Sequence, residues 1–177
     1  MPDEPEVFGL LALMLLHDSR RDARTRDGEL VLLAEQDRAL WDRSQIAAGR
    51  AALERARALH GEDSYVLQAS IAALHAEPET DWQEIAVLYT RLLELTGSPV
   101  VALNRAVALA EAEGPERGLA EIEQLELDGY HYLHATRGEL LRRLGRASEA
   151  RGAFERALGL VRSESERRFL ERRLASI

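Results

Sequence analysis

Six times along the 177 residues, a residue suited to opening a helix stands just ahead of an apolar pattern of helical period. Four of these starts pair an oxygen-bearing cap with Glu or Gln three residues on: Asp3 with Glu6, Asp42 with Gln45, Asp81 with Glu84, and Ser163 with Glu166. In such a box the cap oxygen accepts from free amides of the first turn, and the longer side chain reaches back to the cap's own N–H. Ser98 before Pro99 and Gly114 before Pro115 add starts at which proline's missing donor costs nothing. Together these marks predict helices over 3–17, 43–60, 64–77, 82–96, 99–113, 115–126, 131–144, 147–161 and 164–175. Connections this short imply stacked antiparallel hairpins and an all-α class.

The hairpins repeat. In "HATRGELLRRLGRASEARGAFERALGLV", Gly138 and Ala150 permit close helix approach, Gly145 makes the turn, and Phe154 and Ala157 face the neighbour. That spacing resembles a tetratricopeptide repeat, and about 32 residues upstream Ala106, Gly118, Ile122 and Leu125 take equivalent places. The stretch from Tyr65 to Leu95 fits more loosely through Ile85, Tyr89 and Leu92, and Phe169, Leu170 and Leu174 mark a closing helix. At the other end Phe8, Leu11, Ala12 and Leu15 suit a first helix and Gly49, Leu53 and Ala56 its partner. The expected fold is one domain over 1–177, a tetratricopeptide-repeat-like superhelix whose ends depart from the pattern.

Composition narrows the chemistry. A net charge of −8 repels phosphate backbones and removes the counterion-release term, so direct nucleic-acid binding is not expected. All 23 basic residues are arginine, whose planar forks suit carboxylate partners. There is no cysteine, hence no disulfide framework and no thiolate ligand or nucleophile, which fits a reducing cytoplasm. The apolar run "VFGLLALMLL" at 7–16 is too short to cross a bilayer and follows acids, which points to a cytoplasmic protein away from membranes.

One segment breaks the regularity. Residues 18–42 separate the first two helices by some twenty more than a hairpin turn needs, and "GELVLLAEQDRALW" has enough Leu, Val and Trp to dock as an ordered loop. His17, Asp18, Asp37 and Asp42 offer an acid–base pair if the loop folds back, but no nucleophile, phosphate cradle or cofactor pocket accompanies them. The plainer account makes Asp42 a helix cap, Trp41 the apolar residue ahead of it, and Arg38 the partner of a carboxylate. His131 and His134 lie three apart without a third ligand of familiar spacing, so no metal site is assigned. Glu164 and Arg168, four apart, fit a solvated, salt-bridged final helix. No enzymatic activity, cofactor or metal is expected. A helical-repeat groove with Arg and Trp suits a protein partner instead.

Over essentially its whole length the chain resembles the C-terminal extension of a group of bacterial extracytoplasmic-function (ECF) sigma factors, in which a tetratricopeptide-like domain follows the two sigma regions. The most specific element is that group's signature Asp-Gln-Asp-Arg-Ser, one variable residue, then Trp-Asp. Gln36, Asp37, Arg38, Trp41 and Asp42 match it, while Glu35 replaces the leading Asp and Ala39 the Ser. The resemblance implies a regulatory domain that acts through contacts with the sigma core, RNA polymerase or another protein. The sigma regions that read promoters are expected to lie outside these residues. Gln36, Asp37, Arg38, Trp41 and Asp42, with His17, Asp18, Arg20 and Arg21 of the neighbouring "HDSRR", are the expected interface or the lock that holds the loop. Alternatives are a free-standing repeat scaffold that binds a peptide and, third, an enzyme built on His17 and Asp37. A face bared around Phe8 and Leu11 would also let a second copy pair with the first.

Overall fold

A computed structural model describes residues 4–26 and 28–177. Among them are nine α-helices: α1 (Pro5–Asp18), α2 (Arg43–Ala58), α3 (Ser64–His75), α4 (Trp82–Thr96), α5 (Pro99–Glu113), α6 (Pro115–Ile122), α7 (His131–Arg143), α8 (Ala147–Leu160) and α9 (Glu164–Ala175). Between α1 and α2 lie two two-residue strands, β1 (Thr25–Arg26) and β2 (Glu29–Leu30), and three single 3-10 turns, at Arg21–Ala23, Leu33–Glu35 and Arg38–Leu40. The class is all-α with helical-repeat packing. Contacts divide the chain into two compact units, Met1–Arg26 with Val31–Gly97, and Asp27–Leu30 with Ser98–Ile177.

In the first unit α1 packs on both α2 and α3, and α4 packs on α3. Its core is small-residue rich: Ala12, Ala52, Leu53, Ala56, Val66 and Ala69, with Phe8, Leu13 and Ala73 at the margin. Glycine is required where helices come closest. A Cβ on Gly9 would stand 2.8 Å from Val66 Cγ2, and one on Gly49 2.8 Å from Leu16 Cγ. This changes the expected inner face of α1. Gly9, Ala12 and Leu16 are buried, whereas Leu11 is 44% exposed and Leu15 only half-buried. A helix wedged between two neighbours turns its smallest residues to the closest approach, and the larger ones rotate outward. Val7, Leu10, Leu11 and Met14 therefore form an exposed apolar strip.

The second unit follows the repeat more closely. Leu103, Ala106, Ala110, Leu119, Ile122, Leu140, Leu141, Phe154, Ala157 and Leu170 build one core. A Cβ on Gly118 would meet Ala110 Cβ at 2.5 Å, and one on Gly138 would meet the Phe154 ring at 3.0 Å. Gly145 turns α7 into α8 at φ +73°, a left-handed conformation that glycine adopts without penalty. Helix α6 stops at Ile122, short of the expected 126. Its last turn tightens to 3-10-type bonds, Gln124 N–H to Glu121 O (3.2 Å) and Leu125 N–H to Ile122 O (3.1 Å), and Leu125 and Leu127 then pack on the core.

The caps fall where expected at Asp42 and Asp81, and Asp63 adds a third by accepting from the Tyr65 and Val66 amides at 2.9 and 3.1 Å. Asp3 lies outside the described residues. Ser163 differs from expectation, since its hydroxyl bonds Ser165 and makes no cap. Glu166 accepts from the Tyr132 hydroxyl instead, with His131 Nε2 at 3.4 Å beside it. Arg168, expected on Glu164, pairs with Glu29 at 3.2 Å, a carboxylate shared with Arg172. His134 is buried with Nε2 2.8 Å from Asp128 O, so the two histidines serve separate partners.

Candidate functional site

The segment between α1 and α2 is ordered by its own polar groups. Asp37 caps the last 3-10 turn by accepting from Ala39 N–H at 2.9 Å, and Gln36 Nε2 bonds Val31 O at 3.4 Å. Asp42 Oδ1 accepts from the Ser44 and Gln45 amides at 2.8 and 3.0 Å and from the Ser44 hydroxyl, contacts that hold its pKa down.

The box at Asp42 is completed by a distant partner. Gln45 Nε2 donates to Asp18 Oδ2 at 2.9 Å, twenty-seven residues back in sequence, while Asp42 N–H donates to Ser19 O at 2.8 Å. These two bonds tie the end of the loop to its beginning, and Asp18 also receives Arg21. The Gln45 bond is the main cause of the lowered Asp18 pKa, followed by Arg21. Ser19 is buried and returns its hydroxyl to Leu16 O at 2.8 Å.

Trp41 is the hub. It is 6% exposed, and two guanidiniums lie over its ring, Arg38 at 4.8 Å and Arg20 at 5.7 Å from the centroid. Arg38 also donates to Glu77 O just past α3, so one side chain links the signature to the neighbouring hairpin. Burial, then the Arg24 charge, lowers the Arg20 pKa. His17 faces Arg24, which donates to His17 O at 2.5 Å, and partial burial with Arg20 and Arg24 lowers the His17 pKa. Thus all nine expected residues cluster at the loop. Among the described residues no hydrogen bond or ion pair joins His17 to Asp18, Asp37 or Asp42. Those three carboxylates are spent on caps and the lock.

Four participants carry no sequence signal of their own. Arg50 pairs with Glu77 at 2.8 Å, and His75 packs its ring edge-on against Trp82 at 5.2 Å. His75 is held to a pKa of about 4, first by burial and then by the charges of Arg20, His17 and Arg38. A histidine depressed in the fold takes up its proton more readily when unfolded, so stability is complete above pH 6.5 and falls as pH drops toward 4. At about 1.4 kcal/mol per pH unit the full loss is about 3 kcal/mol. Urea unfolding between about pH 7 and pH 4.5 should show this loss in the wild type, with most of it absent from His75→Leu.

Among the described residues no group of acids and histidines could hold a metal ion, and no helix is long and apolar enough to cross a membrane.

In comparison with known proteins, a family model covers the loop and its lock but not the Glu77, His75 and Trp82 side of the site. Residues 1–57, which hold α1, the loop and nearly all of α2, match the model of a family of unknown function, DUF6596. Across 98% of its length the chain is 49% identical, over 180 residues, to the uncharacterized protein R00370 of Rhizobium meliloti (strain 1021). No solved structure matches the chain. The chain spans 43% of that relative's length and is similar to a part of it.

Proposed function

We propose that this chain is a regulatory protein-interaction domain of an ECF sigma factor, cytoplasmic, that modulates transcription initiation through contacts with the sigma core or RNA polymerase. The observation that carries the reading is the use made of the signature. Asp37, Arg38, Trp41 and Asp42 turn an over-long loop into a fixed surface beside α2 and α3, held by the Gln45–Asp18 and Asp42–Ser19 bonds. Long loops inside compact helical arrays are retained for what they present, and this one, braced on the buried Trp41, presents Arg38 and Leu40 at its surface, an arginine and an apolar side chain of the kind protein interfaces use. The length of the relative beyond the matched part leaves room for sigma regions in such a polypeptide.

The test is run-off transcription by the polypeptide that carries both sigma regions and this domain. Arg38→Gln removes the bond to Glu77 O and one cation over Trp41 while leaving the apolar core intact. Promoter-dependent transcription should change several-fold while the melting temperature moves by only a few degrees, the range expected of about 1 kcal/mol. Unaltered transcription in Arg38→Gln and Trp41→Ala alike would count against a regulatory surface here.

A further inference from the structure

Beside the lock, α2 presents Arg43, Ile46, Ala47 and Arg50 at spacings of three, four and seven, which is one helical face. That face, with Trp41 and Arg38, lines an open cleft of about 550 Å³ that Ala76, Glu77 and Pro78 close at the end of α3. The volume lies within the range of specific ligand sites, roughly 300–1,000 Å³.

Its electrostatics are one-sided. Three arginines face a single carboxylate, on a chain of net charge −8. Glu77 is taken by Arg50 at 2.8 Å. Arg38 bonds only a backbone carbonyl, which leaves its charge uncompensated, and Arg43 is exposed with no ion-pair partner among the described residues. Two buried donors along the same cleft, Trp41 Nε1 and Arg50 Nε, have no acceptor. The walls between the arginines are apolar at Ile46, Ala47 and Pro78.

We propose that this cleft receives an acidic segment of a protein partner, with an Asp or Glu carboxylate on the Arg38 and Arg43 guanidiniums and an adjoining apolar side chain against Ile46 and Ala47. Carboxylate is an acceptor-only group that matches the arginine fork in two parallel bonds. A phosphodiester chain would meet the repulsion of the whole molecule, whereas one peptide segment meets mainly the local positive field. The proposal rests on the interaction-domain reading and specifies the chemistry of the partner.

A phage-displayed random-peptide library panned on the 177-residue chain tests it. The best peptide and a counterpart with Asp and Glu replaced by Asn and Gln are then titrated by fluorescence polarisation. Selected peptides should pair acidic with apolar residues, and the amide counterpart should bind about tenfold weaker or worse. Arg43→Glu should lose the acidic peptide by at least about the same factor with an unchanged melting curve, and Arg43→Gln by less. No selected peptide, no acidic enrichment, equal binding by the amide counterpart, or indifference to Arg43→Glu would each overturn the proposal. So would displacement of the peptide by an equal concentration of inorganic phosphate, which marks a site for free anions. Arg43→Glu in the longer polypeptide separates the two readings. Lost peptide binding with unchanged transcription sinks the regulatory role and leaves the acidic ligand standing. Altered transcription with no acidic peptide selected does the reverse.

Discussion

Trp41→Ala should destabilise the first unit by about 3–5 kcal/mol, the range for deleting a buried aromatic side chain. The ring is nearly fully buried, and its loss removes the platform for both Arg20 and Arg38. Cation–π contacts of this kind add about 0.5–1 kcal/mol each where partly exposed, so most of the effect is the cavity. At about 2–4 °C per kcal/mol for a chain of 177 residues the melting temperature falls by roughly 10 °C. The same change should open the loop to trypsin at Arg24, just before β1, and at Arg26, which ends it. Trp41→Phe separates ring from indole N–H. Because Nε1 has no partner, phenylalanine loses only volume and should recover most of the stability. A Phe variant as unstable as the Ala variant would show that the N–H carries the lock.

In the second unit the largest effect is expected from Phe154→Ala, again about 3–5 kcal/mol. Phe154 is among the largest fully buried side chains, and α7 carries Gly138 because a Cβ there would stand 3.0 Å from three atoms of that ring. The two positions are therefore coupled. Gly138→Ala alone overpacks, at a cost of about 1–3 kcal/mol, but in a Phe154→Leu background the added methyl has space. A double-mutant cycle monitored by urea unfolding should give a coupling of about 1 kcal/mol in the compensating direction. Additive effects would mean that α7 and α8 do not approach as closely as Gly138 requires.

These two sites mark the extent to which the sequence was legible. Phe154, Gly138 and Gly145 stood out because a repeat imposes the same packing at each period, and most helix limits followed from caps and prolines, which act within a few residues. What failed was long-range. Gln45 and Glu166 fit local boxes by spacing, yet they bond Asp18 on α1 and Tyr132 on α7, because a buried or bridging amide or acid gains more from a fixed tertiary partner than from a frayed terminal N–H. The outward turn of Leu11 depended on α1 being wedged between α2 and α3, which its own periodicity does not record.

At the candidate site, the signature residues were visible as a cluster of unusual types, but their partners were not. Arg38 bonds the backbone carbonyl of Glu77, and a carbonyl acceptor leaves no trace in residue identity. The histidine with the most perturbed ionisation, His75, lies at the end of α3 in an ordinary amphipathic pattern. Only the packing of Trp82 and the nearby guanidiniums sets it apart.

The proposed role of this surface, in transcription through protein contact, is tested by titrating this chain calorimetrically into RNA polymerase and into the separately purified part of the longer polypeptide in which the sigma regions are proposed to lie. Saturable binding to at least one of them is expected, abolished by Arg38→Gln combined with Arg43→Glu in a protein that still melts cooperatively. Absence of heat with both titrants, or binding that the double variant retains in full, would contradict it.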